Sequence, residues 1–450
     1  LDRNVAIGYF AMDGTGAINA QQNIFIGDNA GGGSWTTAAS NSNVAIGATA
    51  MSAALNGALG NTALGHDTLK ALTSADYNVA IGHLALDEIT TGGYNVAVGK
   101  GALTGADGAE AENVAIGPLS GYLMDNDSST MNTYVGMYSG AGGTGAVTHN
   151  TAIGAYAFRL HGNHAATLNT AVGKLALGGT WAGASNYNTA IGGHTLDGAM
   201  NGAHYNTALG YAALSGVTTG DNNIGIGPGA GLAITTGGNN TVIGYEAGYD
   251  MTGTGNTVII GYQAGRAINS TDADGTVAIG YEAGKAITSG QYSTFVGYGA
   301  GYSSDTNDGN TFIGYLAGYE ADSATTAANQ NTYLGAFAGR FLDDGAENVA
   351  IGYDTMASNS DGAANAVNKS IAIGRSAMAS SVSNQGTIVI GYYAGDHASA
   401  DVDNAVIIGR EAGRGAMTSG ADGTVAIGYQ AGTAITSGVG NTLLGYQSGL

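Results

Sequence analysis

Residues 275–284 read Gly275-Thr276-Val277-Ala278-Ile279-Gly280-Tyr281-Glu282-Ala283-Gly284. The same phrase opens the chain as Asn4-Val5-Ala6-Ile7-Gly8-Tyr9 and closes it as Asn441-Thr442-Leu443-Leu444-Gly445-Tyr446. Aligned on the Gly that follows the apolar pair, the sequence holds 25 copies, among them Gly8, Gly82, Gly154, Gly244, Gly280, Gly314 and Gly428. From Gly8 to Gly445 there are 437 residues and 24 steps, so the mean period is about 18 residues, close to the range of stacked repeat architectures.

One residue before each of these glycines stands Ile, Val or Leu, as at Ile7, Ile81, Ile153, Ile243, Ile279, Ile313 and Ile427. Three before it stands Val, Ile or Thr. β-branched side chains suit a pleated strand because their stiff χ1 packs well there. Residues two apart share a strand face, so this pair is expected to point into the coil, with Ile279 buried. The residue between them is then expected to point outward. It is usually Ala, but Phe25, Tyr134, Phe295, Phe312 or Tyr333 in some copies. An outward column that is small or apolar is not a solvent face, and is expected to be covered.

Three residues after the Gly stands Ala, Ser or Thr in every copy, including Ala283, Ala300 and Ala317. A column of small side chains predicts a close approach of another backbone, and in an assembly it is expected to let chains meet. The Gly itself is expected to occupy a turn or a backbone contact that tolerates no Cβ. Four residues before it, Asn appears in 18 copies. Asn tolerates left-handed turn geometry, and Asn side chains stacked in successive coils form hydrogen-bonded ladders.

The fold class that follows is all-β: a parallel β-solenoid, or β-roll, of about 25 coils with a repeat of about 18 residues. Each coil is expected to run strand, Gly turn, small-residue passage, short second strand, loop. Ala286-Ile287 and Ala434-Ile435 are the candidate second strands. No stretch carries a 3.6-residue period, and the small-residue run at 363–366 reads as a spacer. Residues 1–205 have irregular loops and hold Trp35, Trp181 and seven of the eight His. Residues 206–450 are more regular and place Tyr after the Gly, as at Tyr245, Tyr262, Tyr281, Tyr298 and Tyr315. The two read as regions of one array.

Composition narrows the function classes. The net charge of −21, from 33 acidic and 12 basic residues, gives no basic footprint for nucleic acid. The absence of Cys removes disulfides and thiolate chemistry. No apolar run reaches membrane-spanning length, so no membrane insertion is expected. The array starts at Asn4 and stops at Gly449 without polar caps, so the sequence reads as the middle of a longer polypeptide.

Candidate chemistry is sparse. His161 and His164, with His149 upstream, suggest a partial metal site, but no carboxylate falls at a ligand spacing, and a surface-loop role is favoured. The acid pairs Asp87-Glu88 and Asp343-Asp344 resemble glycosidase carboxylates only in type, since loops carry such pairs routinely. The acidic loops lack a calcium nonapeptide or a twelve-residue calcium loop. Gly225-Ile226-Gly227-Pro228-Gly229 lacks the Lys and the helix of a phosphate loop. No catalytic residue, metal ligand or cofactor site is therefore assigned. The Tyr column Tyr245, Tyr262, Tyr281, Tyr298 and Tyr315 is a candidate aromatic ladder: stacking between coils is the favoured role, glycan or partner binding the other.

Asn-Val-Ala-Ile-Gly followed by a small residue, at residues 4–11, 43–50 and 113–120, resembles the head repeats of trimeric autotransporter adhesins. The segment 240–248 also looks like the Asn-Thr-Ala-Ile-Gly-Tyr-x-Ala-Gly arrays of phage tail fibres. The resemblance covers the whole chain. It implies a left-handed parallel β-roll, three chains side by side, and attachment to a surface. The period is longer than in the adhesin heads, and neither stalk heptads nor a membrane anchor is seen. The function expected is a structural and adhesive fibre shaft, a homotrimer, extracellular, on a cell surface or a virion. Its loops would be presented to a cell-surface glycan or protein receptor. A polysaccharide-degrading β-helix spike and an ice-binding or surface-layer solenoid are the rivals. The first would need clustered acids beside aromatics, the second a flat Thr array.

Overall fold

The computed structural model describes residues 3–16, 18–35, 38–321, 329–342, 345–357, 367–380, 383–396, 402–415 and 417–450. Asp343, Asp344 and the run 363–366 lie outside them. The chain is a parallel β-solenoid with a repeat of about 18 residues and almost no helix. It forms two compact units, Leu1–Asn223 and Ile224–Leu450.

In the first unit one three-residue strand per coil runs from Val5–Ile7 to Thr207–Leu209. In the second the series runs from Ile224–Ile226 to Thr442–Leu444. Successive strands pair in parallel and in strict register, so like residues stack: Val5 on Ile24 in the first unit, Thr294 on Thr311 and Phe295 on Phe312 in the second. The ladder extends past each strand. The Gly297 N–H donates to Ile279 O at 2.8 Å, and Val277 N–H donates to Ser293 O at 2.9 Å.

The turn glycine ends the strand for a steric reason. It sits at positive φ, +128° at Gly82 and +133° at Gly136, a region that side chains rarely adopt. A Cβ on Gly82 would lie 2.6 Å from Gly99 O, and one on Gly136 would lie 2.6 Å from Gly154 O. Both the turn and the close backbone approach expected from the sequence are present.

The strand facing is the reverse of the expectation. The middle residue points inward: Ala278, Phe295 and Phe312 are fully buried. Val277 and Ile279 are only half-buried, and Ile7, Ile81, Ile153 and Ile313 are exposed. The alternation is fixed by the Asn column, not by hydrophobicity. Asn four before the Gly is buried because its amide serves carbonyls inside the coil: Asn113 Nδ2 donates to Ser129 O at 3.0 Å and to Asn95 Oδ1 at 3.2 Å. With period-2 alternation, an inward Asn puts the residue two later inward and the Ile column outward. The Asn ladder itself is as expected.

The thin core obeys a volume rule. Where the middle strand residue is large, the residue six positions later is Gly: Phe25 with Gly31, Tyr134 with Gly140, Phe312 with Gly318, Tyr333 with Gly339. A Cβ on Gly318 would lie 2.5 Å from the Phe312 ring. Where the middle residue is Ala, that later position often holds the bulk, as at Met51, Leu86, Leu177 and Met378, all buried. Leu86 and Leu177 accept φ of +49° and +52° there, an uncommon backbone for a non-glycine residue. Where Ala and Gly coincide, as in Ala278 and Gly284, Ile287 supplies the volume.

Two further expectations are corrected. Ala283, Ala300 and Ala317 are fully buried within their own coils, so this column packs the turn and does not face another chain. Ala286-Ile287 and Ala434-Ile435 form no strand, because the chain turns there. Among the described residues, second strands are confined to Val147–Thr148 and Ala166–Thr167, with a few isolated bridges. Helix among the described residues is limited to single 3-10 turns at Thr271–Ala273 and Ser419–Ala421.

Candidate functional site

With the middle column inside, each coil turns three residues of its repeat outward: the β-branched residue, the Ile, and the residue after the Gly. In the first unit the exposed Ile column includes Ile46, Leu64, Ile81, Ile116, Ile153 and Leu209, with Leu64 46% exposed. In the second it includes Ile313 and Leu334, while Ile243, Ile279, Ile373 and Ile427 are half-buried.

Beside the Ile column of the second unit stands the Tyr column. The ring centroids of Tyr245 and Tyr262 are 5.4 Å apart, those of Tyr262 and Tyr281 5.0 Å, Tyr281 and Tyr298 4.8 Å, and Tyr298 and Tyr315 5.3 Å. All four pairs are stacked, and each ring still exposes nearly half its surface. Strand spacing sets this separation, since like residues in adjacent parallel strands lie about 4.8 Å apart. Further along, arginines enter the same column. Arg375 lies over the rings of Tyr353 and Tyr392, and Arg410 over those of Tyr392 and Tyr429, at 5.5 to 5.9 Å. A polar ladder runs next to it. Gln263 Nε2 donates to Glu246 Oε2 at 2.8 Å and Arg266 Nε donates to the same oxygen at 3.1 Å. The Gln263 bond first, with Arg266 behind it, holds the Glu246 carboxyl below its ordinary pKa. The face thus offers rigid aromatic rings, guanidinium groups and amides at a regular spacing.

The histidines singled out in the sequence do not converge. His161 is buried and stacks on Phe158 at a centroid distance of 5.2 Å, whereas His149 is exposed and His164 half-buried. Burial pushes the His161 pKa down to about 4, so its ring is neutral. At Gly225–Gly229 a strand, Ile224–Ile226, leads into a turn and no helix follows.

Two groups that sequence reading missed bring titratable side chains together. His66, Asp67 and His83 place ligand atoms within 4.8 Å of one another. Asp67 there is engaged: Thr49 Oγ1 donates to it at 2.6 Å, and Lys70 Nζ lies 3.3 Å away. Burial works against its charge, but these partners win and its pKa is lowered. The second group is Asp107, Glu110 and Asp127, also within 4.8 Å. Burial, followed by the charges of Asp125 and Asp127, raises the Asp107 pKa. Burial, with smaller contributions from Asp127 and Asp107, raises that of Glu110. The neighbouring Asp87 and Glu88 are likewise raised, first by burial. The signal that could have found this group is columnar: Glu110 is an acid where the other coils carry neutral residues.

Among the described residues, no helix is long and apolar enough to cross a membrane. Comparison with protein-family models and with curated proteins returns no match.

Proposed function

We propose that the chain is a structural and adhesive fibre module that packs side by side with two identical copies and presents its loops and aromatic column to a surface glycan or protein receptor. The observation that carries this reading is the exposed Ile column. A row of Ile, Leu and Val recurring in register from coil to coil is an apolar stripe, and monomeric soluble proteins rarely expose one. Identical neighbours cover such a stripe along its whole length, and closed cyclic symmetry stops the association from running on. The partner-facing column is the Ile column, not the Ala column expected from the sequence. The trimer, the left-handed winding and a place outside the cell or on a virion follow from the resemblance to adhesin heads and tail fibres and belong to the proposal. A binding role for the Tyr and Arg column is supported by its stacked, half-exposed rings, because rigid aromatic faces suit both sugar and protein partners.

The test is sedimentation at micromolar concentration. The wild-type chain should sediment as a trimer. Replacing Ile81, Ile116 and Ile153 together by Lys should yield a folded monomer, since these side chains occupy no part of the coil interior. A wild-type monomer would sink the assembly and leave the stripe to a different partner.

A further inference from the structure

In the first unit, the position seven residues before a turn glycine offers its carbonyl to the Asn amide of the preceding coil. Ala58 O takes Asn43 Nδ2–H at 2.8 Å, Glu110 O takes Asn95 Nδ2–H at 2.8 Å, and Ser129 O takes Asn113 Nδ2–H at 3.0 Å. The residues here are buried and neutral, such as Ala75, Gly92, Ser129 and Val147. Among the described residues of both units, Glu110 is the one ionisable side chain in this column.

The Glu110 side chain is fully buried. Its Oε2 accepts the Gly108 N–H at 3.0 Å, but its Oε1 is buried with no hydrogen-bond partner. A carboxylate stripped of water and half-satisfied is costly unless a countercharge meets it. The groups facing it are more carboxylates. Asp107, three residues earlier, and Asp127, from the next coil, bring oxygens within 4.8 Å. Asp127 is held there because its Oδ1 accepts the Ala109 N–H at 2.9 Å, and Asp125 stands beside Asp107. The leading charges that act on Glu110 and Asp107 are those of neighbouring carboxylates.

We propose that Asp107, Glu110 and Asp127 form a calcium site, with Glu110 as the buried ligand and the two aspartates bridging consecutive coils. The donor set is oxygen only, which selects hard cations over zinc or copper. The exposed Asp107 and Asp127 leave room for waters, and calcium accepts an irregular, partly hydrated shell more readily than magnesium does. Calcium supplies the missing countercharge and occupies the free Glu110 oxygen. It also ties the loop around Asp107 to the loop around Asp127, a staple between neighbouring coils. The expected affinity is that of exposed extracellular modules, a Kd on the order of 10⁻⁴ M.

The test titrates CaCl2 into the chelator-stripped full chain by calorimetry and follows its melting temperature. Wild type should show one saturable site and a calcium-dependent rise in Tm. Glu110→Gln keeps the shape and removes the charge. It should weaken calcium binding about tenfold or more, yet melt no lower than wild type without calcium, because it relieves the uncompensated buried charge. Asp127→Asn, at an exposed position, should also weaken binding, while the remote Asp305→Asn should not. The proposal is overturned if wild type shows no saturable calcium site, or if Glu110→Gln and Asp127→Asn both titrate like wild type. Equal or tighter binding of MgCl2 would overturn the assignment to calcium.

Discussion

In Leu1–Asn223 every coil carries Asn four residues before the turn glycine, whereas in Ile224–Leu450 that column runs Asn240, Thr257, Thr276, Ser293, Asn310, Asn331, Asn348, Ser370, Thr387, Ala405, Thr424 and Asn441. An Asn amide has two donors and a carbonyl with two lone pairs. Asn113 uses all of them: its Nδ2 serves Asn95 Oδ1 and Ser129 O, and its Oδ1 receives both the backbone and side-chain N–H of Asn132 at 3.1 and 3.0 Å. A hydroxyl has one donor, and Thr387 spends it across the coil on Val402 O at 2.7 Å. At Ala405 the column has no polar group, and Thr424 Oγ1 in the next coil is buried without a partner. The second unit therefore keeps the ladder along the axis only in part: the Asn331 and Asn348 N–H groups still donate to Asn310 Oδ1 and Asn331 Oδ1 at 2.9 Å, while around Ala405 and Thr424 the ladder fails. Its inward strand column compensates in kind. Where the first unit mostly has Ala, the second has Val242, Ile259, Phe295, Phe312, Tyr333, Val389 and Ile407, all buried. One unit leans on an amide ladder, the other on apolar bulk and outer aromatic stacks.

The largest effect should come from removing that bulk. Phe312→Ala deletes a buried ring that stacks on Tyr333 at 4.6 Å, and should cost about 4 kcal/mol. Adding Gly318→Leu should recover about half, because Gly318 has the left-handed φ that Leu86 and Leu177 already accept and points at the Phe312 ring. Chemical denaturation of the two variants measures both. A double variant weaker than the single one would show that the volume rule is not what fills the coil.

Breaking the amide ladder tests the other unit. Asn113→Ala leaves the buried Ser129 carbonyl and the Asn132 backbone N–H without partners and should cost about 3 kcal/mol. Thr276→Ala, which removes one bond to Gly290 O, should cost about 1 kcal/mol. Hydrogen exchange of the Asn132 N–H should rise in the first variant. Equal costs at the two sites would erase the distinction between the units.

Much of this coil was legible in the sequence, and the part that was not has a definite cause. The turn glycine, the parallel stacking and the Asn ladder follow from residue type at fixed spacing. Hydrophobicity is a poor guide to facing in so thin a coil. The interior has room for Ala278 or one ring, and the inward Asn, a polar residue, sets the alternation. Ile279 and its equivalents are apolar for the outer face. Ala286-Ile287 looks like a second strand in the sequence, but Ile287 is buried as core filling inside a turn. The acidic group at Glu110 needed the column alignment to extend beyond the central motif, into spacers whose lengths vary from coil to coil.

Acid should separate the units as well. His161 lies in the first unit, its pKa lowered by burial from 6.5 to about 4. A histidine with a depressed folded pKa is protonated in the unfolded chain first, so stability falls as pH drops through 6.5 and levels off below about 4. At up to about 1.4 kcal/mol per pH unit, the first unit should lose about 1.6 kcal/mol between pH 6.5 and pH 5 through this group. His161→Phe should flatten that part of the denaturation profile. An unchanged slope would mean that the ring is solvated in solution.

The smallest effect decides whether the outer aromatic column contributes to the second unit's stability. Tyr281 stacks between Tyr262 and Tyr298 at 5.0 and 4.8 Å, with interplanar angles of 8° and 5°. It is 41% exposed, so its loss leaves no cavity, and its contribution is ring-to-ring contact. Such pairs are worth roughly 0.5–1.5 kcal/mol beyond burial, and Tyr281→Ala should cost about 1 kcal/mol. In the first unit Tyr77 has one ring neighbour, Tyr94, at 5.3 Å and a tilt of 31°, and Tyr77→Ala should cost about half as much. Thermal denaturation of both variants, with Tyr281→Phe as the control that keeps the stack, gives the answer. If Tyr281→Ala and Tyr77→Ala are both silent, the column adds nothing to the fold, the weaker polar column of the second unit is offset by its core alone, and the exposed tyrosines are left as a surface for a partner.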